Sequence, residues 1–127
     1  MNNKTSFEIL DNADVPSRHA AAGEVILAAG SDSKEMFIIR KGTVAISVGG
    51  KVVEAVGHGG IFGEMGLIDF ETRSADAIAV EDCDLVPIDE RLFVVLVQET
   101  PYFALDVMRT LVHRIRTMNA LLSETQP

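Results

Sequence analysis

Short apolar runs separated by glycine fill the first two thirds of the chain. Val25-Ile26-Leu27, Met36-Phe37-Ile38-Ile39, Val44-Ala45-Ile46-Ser47-Val48 and Val52-Val53-Glu54-Ala55-Val56 are rich in β-branched residues, and Ala75–Val80 and Cys83–Ile88 continue the series. Such runs suit pleated strands. Gly23, Gly30-Ser31-Asp32-Ser33, Lys41-Gly42, Gly49-Gly50 and the stretch from Gly57 to Gly60 punctuate them, as turns require. Gly49-Gly50 between two apolar runs predicts a hairpin. About seven or eight short strands, with turns roughly every eight to twelve residues, predict an antiparallel sandwich or jelly-roll barrel.

The pattern changes after Asp89. Residues 89–98 have a β-branched centre that fits a strand or a helix by periodicity alone. Asp89 as an N-cap and Glu90 in the first turn favour a helix. Thr100-Pro101 predicts a second helix start, running to about Ser123. Along it Phe103, Val107, Leu111, Ile115, Met118 and Leu122 recur every three or four residues. They form one apolar stripe, with His113, Arg114, Arg116 and Asn119 beside or opposite it. Residues 1–16 are polar and mixed, and Phe7, Ile9 and Leu10 are their candidate anchors. A short helix or ordered arm is expected there. The predicted class is therefore mainly β with C-terminal α-helices, a single domain over residues 1–127. Its parts are an arm (1–16), a β-barrel (17–89) and C-terminal helices (90–123).

The chain has 127 residues, 24% charged and 47% hydrophobic, enough for one globular core. The net charge of −8 argues against direct nucleic-acid binding, which needs basic patches. Cys83 is the only cysteine, so no internal disulfide forms and a reducing, cytoplasmic setting is expected. Cys83 reads as a buried filler. Neither a signal segment nor a run of eighteen apolar residues appears, so no membrane partner is expected.

The stretch most able to carry chemistry runs from Gly60 to Ala77. Gly63-Glu64-Met65-Gly66-Leu67-Ile68 predicts a tight turn entering a short helix, and Arg73-Ser74-Ala75 lies nine residues past Glu64. A helix start offers amide N–H groups to an anion, and Gly63 and Gly66 let a ligand approach the backbone. Arg73 can present a planar fork to a phosphate and Ser74 a hydroxyl. Glu64 can accept from a sugar hydroxyl. Together these residues suit a ribose phosphate.

Phe62-Gly63-Glu64-Met65-Gly66-Leu67-Ile68 followed by Arg73-Ser74-Ala75 resembles the phosphate-binding cassette of the cyclic nucleotide-binding domain family. Upstream, Ala22-Gly23-Glu24-Val25-Ile26, Met36–Gly42 and Gly57-His58-Gly59-Gly60 fall where that family carries similar blocks, and the likeness covers roughly residues 17 to 123. The resemblance implies a jelly-roll fold (a double-stranded β-helix), no enzymatic activity, no cofactor, and cyclic AMP as first ligand with cyclic GMP second. It places Glu64 on the ribose and Arg73 on the cyclic phosphate. Gly63 lies along the sugar, while Met65 falls within the cassette and Gly66, Ser74 and Ala75 supply donors. Ile46, Val53 and Val56 become apolar walls for the purine, or plain barrel core, and Arg114, Arg116, Thr117 and Asn119 candidates for its edge. It also implies that the long helix pairs with its twin in a homodimer or swings to cover the base, and an effector protein to receive the signal. The chain stops where a transcription factor of that family would begin its helix-turn-helix.

The cassette departs from the common pattern at Phe70-Glu71-Thr72, where many members have Gly or Pro before the arginine. Asp69 and Glu71 are expected to face solvent. Two other readings stand beside the sensor. One keeps the fold with a vestigial pocket, as a structural or dimerisation domain. The other is a metal-dependent barrel enzyme, which would need clustered ligands; His19, His58 and His113 are scattered. A Ser/His/Asp arrangement has no support, as no Gly-x-Ser-x-Gly element appears.

Overall fold

The computed structural model describes residues 15–69, 73 and 75–125. The order of elements is β1 (Arg18–Ala20), β2 (Val25–Leu27), β3 (Met36–Lys41), β4 (Val44–Val48), β5 (Lys51–Val56), β6 (Ile61–Phe62), α1 (Glu64–Asp69), β7 (Asp76–Ala79), β8 (Cys83–Ile88), α2 (Glu90–Glu99) and α3 (Tyr102–Thr125). The strands form two antiparallel four-stranded sheets, ordered β1-β8-β3-β6 and β2-β7-β4-β5. The predicted class, mainly antiparallel β with C-terminal helices, is the one observed.

Strand β3 explains the layering. Its first four residues, Met36 to Ile39, are all buried, which a strand achieves only when both faces are covered. Phe37 and Ile39 point into the core between the sheets, where Phe37 stacks on Phe62 at 5.2 Å and meets the same cluster as Leu27, Val44 and Ala77. Met36 and Ile38 point the other way, into a second core with Leu67, Leu96, Phe103 and Val107. The order is helices, first sheet, second sheet. Two hydrophobic layers explain why this strand reads as an unbroken apolar run rather than an alternating one.

Asp89 caps α2 as expected, accepting from the Leu92 amide at 2.9 Å. Thr100 serves both helices at their junction. It closes α2 through its own N–H to the Leu96 carbonyl at 2.8 Å, and its carbonyl accepts from Phe103 N. The predicted stripe on α3 divides in two. Phe103 and Val107 are buried against the first sheet and Leu111 packs beside them, but Ile115, Met118 and Leu122 are exposed. The second half of α3 therefore runs beyond the core that holds the first half.

Cys83 is buried, as expected, with Sγ directed at the Thr43 and Glu81 carbonyls. Its sulfur fills the space where a Cβ on Gly42 would stand, 2.6 Å away, and Gly42 has φ +102, so this turn demands glycine twice over. The expected packing of the N-terminal arm falls on residues 1–14, outside the described residues. Val15, just past it, joins the helix-side core.

Candidate functional site: a buried glutamate and arginine at one cavity

Gly63 opens the site. Its φ is +80, which L side chains rarely adopt, and the chain turns there from β6 straight into α1. Glu64, the first residue of α1, is 3% exposed, and Arg73, on the return toward β7, is 7% exposed. Buried charges of this kind are retained only where partners are built for them. Both side chains line one cavity of about 640 Å³, within the size range of small-molecule sites. Ile46 and Val48 of β4, Val53 of β5 and Leu27 of β2 give it an apolar wall, and Met118 and Leu121 of α3 line it as well.

The Arg73 guanidinium is held from behind. Nη1 donates to the Gly63 carbonyl and Nη2 to the Glu35 carbonyl, with Ser33 Oγ 3.4 Å from Nη2. Its backbone is tied to the same loop: Arg73 N donates to Ser31 O at 2.9 Å and Gly30 N to Arg73 O at 2.7 Å. Arg73 thus fastens the 30–35 loop to the cassette and also lines the cavity. A phosphate bound there would share or exchange these donors.

Glu64 is held by Arg114, which reaches back from α3. Arg114 Nη1 donates to Glu64 Oε1, Nη2 to the Ile61 carbonyl, and Nε to Glu54 Oε1 at 2.9 Å, with Glu54 Oε2 3.3 Å from Nη2. Burial alone disfavours the Arg114 charge, but the Glu64 and Glu54 carboxylates outweigh it and raise its pKa above the ordinary arginine value. Arg114 is therefore a charged bridge across the site.

Of the residues expected in the site, Gly63, Glu64, Met65, Gly66, Arg73, Ala75, Ile46, Val53 and Asn119 all line this cavity. Thr117 joins them. Ser74, with Phe70, Glu71 and Thr72, lies outside the described residues, as does the side chain of Asp69. Val56 is a correction: at the end of β5 it pairs with Val44 and packs in the inter-sheet core rather than on the cavity. Arg116 is another. It lies on the other side of α3, with Leu105, Met108 and Val112, because two residues along a helix turn the side chain away from Arg114. Arg114 also lines the cavity, with its guanidinium engaged by two carboxylates and a carbonyl.

Glu54 and its contact with Arg114 were not anticipated. Sixty residues separate them, and only the return of α3 over β5 joins them. Among the described residues no group of three or more His, Cys, Asp or Glu side chains could hold a metal ion, and no helix is long and apolar enough to cross a membrane.

The fold agrees with the comparisons. Residues 17–100 match the model of the cyclic nucleotide-binding domain, and the chain belongs to that family. The Cyclic AMP receptor protein of Thermus thermophilus is 30% identical over 99 residues, covering 74% of this chain and 46% of the relative. The Pycsar effector protein XpPycTIR of Xanthomonas perforans is 32% identical over 105 residues, covering 82% of this chain and 35% of the relative. The chain thus spans less than half the length of these curated relatives. Among solved structures, the Thermus thermophilus Catabolite Activator Protein superposes with a TM-score of 0.78 at 26% identity, covering 96% of this chain and 60% of the other. A structure from a cyclic-GMP-dependent signalling pathway regulating bacterial phytopathogenesis gives a TM-score of 0.75 at 29% identity, covering 88% of this chain and 94% of the other.

Proposed function

We propose that this chain is a non-enzymatic regulatory module that binds a cyclic nucleotide, cyclic AMP before cyclic GMP, and needs no cofactor. The observation that carries the reading is the convergence of a buried carboxylate, Glu64, and a buried guanidinium, Arg73, on one apolar-walled cavity. A ribose cyclic phosphate needs one acceptor for its hydroxyl and one cation for its diester. Glu64 takes the ribose and Arg73 the phosphate, with donors from Gly66, Ser74 and Ala75. Ile46 and Val53 face the purine, and Asn119 and Thr117 border it from α3.

The mechanism is a population shift. A phosphate at Arg73 competes with the Gly63 and Glu35 carbonyls, and a ribose hydroxyl at Glu64 competes with Arg114. The first rearranges the cassette and the second changes the hold on α3. The altered α2 and α3 carry the signal to an effector protein in the cytoplasm or to a second copy of the chain through α3, without direct contact to nucleic acid or membrane. The exposed Ile115, Met118 and Leu122 support that use of the helix.

Thermal shift with cyclic AMP, cyclic GMP and 5′-AMP tests the reading. Stabilisation by a cyclic nucleotide at micromolar concentration, with little effect of the open nucleotide, is expected. No shift with either cyclic nucleotide at millimolar concentration would favour a structural or dimerisation domain with a vestigial pocket.

A further inference from the structure

Glu54 lies on β5, outside the cassette, and the backbone of β5 explains how it reaches the cavity. The β4–β5 ladder shifts register between Ile46 and Ser47, which pair with Glu54 and Val52. Glu54 stands directly across from Ile46, so the two share a face and both line the cavity, while Val53 is the extra residue of a bulge, which re-aims it. Consecutive strand residues ordinarily face opposite ways. Here Val53, Glu54 and Ala55 all line the cavity. The Glu54 carboxylate then meets Arg114 side-on, with Nε at 2.9 Å and Nη2 at 3.3 Å.

We infer that Glu54 is a positioning residue that keeps α3 docked across the cavity through Arg114. The remaining contacts of the Arg114 guanidinium are with Glu64 and the Ile61 carbonyl. Glu64 is the group a ligand hydroxyl would claim. If Arg114 leaned on Glu64 alone, ligand and helix would compete for one carboxylate. Two-point contact with Glu54 supplies a separate anchor with planar, directional geometry. Occupation of Glu64 then changes the hold on α3 without releasing the helix. Arg114 also fits this role by place: Ile115, Thr117, Met118 and Leu121, its neighbours on α3, line the same cavity, so fixing Arg114 fixes them.

The docking of α3 does not rest on the nucleotide reading, whereas the consequence for ligand release does. Amide hydrogen exchange on the full chain without nucleotide therefore comes first, comparing wild type, Glu54→Gln, Arg114→Gln and the double variant. Residues 111–122 should exchange several-fold faster in Glu54→Gln than in wild type, while β3 and β8 keep their protection. Because Glu54 acts through Arg114, the double variant should match Arg114→Gln. Unchanged exchange in Glu54→Gln, or an effect of equal size with and without Arg114, would overturn the inference. Dissociation of a fluorescent cyclic AMP analogue should then be about tenfold faster from Glu54→Gln than from wild type, a difference of ~1.4 kcal/mol. An unaltered rate would overturn the link between Glu54 and ligand retention. Failure of wild type to bind the analogue would instead remove the nucleotide reading, leaving the exchange data to decide on Glu54.

Discussion

The guanidinium of Arg73 lies against the backbone of Gly66. A Cβ at position 66 would stand 2.5 Å from Arg73 Cζ and 2.9 Å from the Ser33 carbonyl oxygen. Glycine in a short helix costs about 1 kcal/mol relative to alanine, so this one is explained by space rather than by helix formation.

Gly66→Ala should therefore weaken binding while the fold is kept. The added methyl supports α1 but pushes the guanidinium from its seat, since the Ser33 carbonyl is backbone and yields little. Cyclic AMP affinity should fall at least tenfold while far-UV circular dichroism stays that of wild type. Unchanged affinity in a calorimetric titration would show that the Arg73 seat has slack, and that Gly66 is dispensable to the site.

Arg114→Gln should unfold more easily than its place on the outlying half of α3 suggests. Glu64 is almost fully buried, and the Arg114 side chain beside it is 16% exposed. Removing one partner of a buried pair leaves the other charge uncompensated, at about 3 kcal/mol. Urea unfolding measures this directly. A change below about 0.5 kcal/mol would mean that the pair behaves as a surface contact.

These two residues show what the sequence holds and what it hides. β2, β4 and β8 fall at the predicted limits, because glycine or charged turn residues bound each run. β1 and β6 escape notice since three and two residues are too few for a period to register. The cassette is legible because Glu64, Gly66 and Arg73 are close in sequence and their types suit one chemistry. Val56 and Val53 are alike in type, and the register of β5 with its bulge at Val53 decides which lines the cavity. Arg114 reads as a polar residue beside an apolar stripe. Its partners are 50 and 60 residues away, a distance that no local pattern spans.

The Cys83 thiol makes a separate prediction about pH. Burial pushes its pKa up from the ordinary value of 9.0, so folding favours the protonated form. The sign follows from linkage: its stabilising contribution is complete below the unfolded value and is lost as pH rises through the higher folded one. Native protein should resist a thiol reagent at neutral pH and react on unfolding. In wild type the urea midpoint should fall above pH 9 more steeply than in Cys83→Ala. Equal alkaline slopes would remove Cys83 from the account.

Arg73 decides the central claim. Its guanidinium fastens the 30–35 loop and the residue lines the cavity, so Arg73→Ala should lower both stability and affinity, but a charge-assisted phosphate contact has its own magnitude. Such a contact contributes on the order of 1.5–3 kcal/mol, a ten- to hundred-fold change in Kd. The most direct test is calorimetric titration of cyclic AMP into wild type and Arg73→Ala, under conditions where both are folded. Binding by wild type that weakens at least tenfold in the variant is the predicted result. Binding that survives undiminished in Arg73→Ala would contradict the placement of the phosphate and, with it, the site described for this chain.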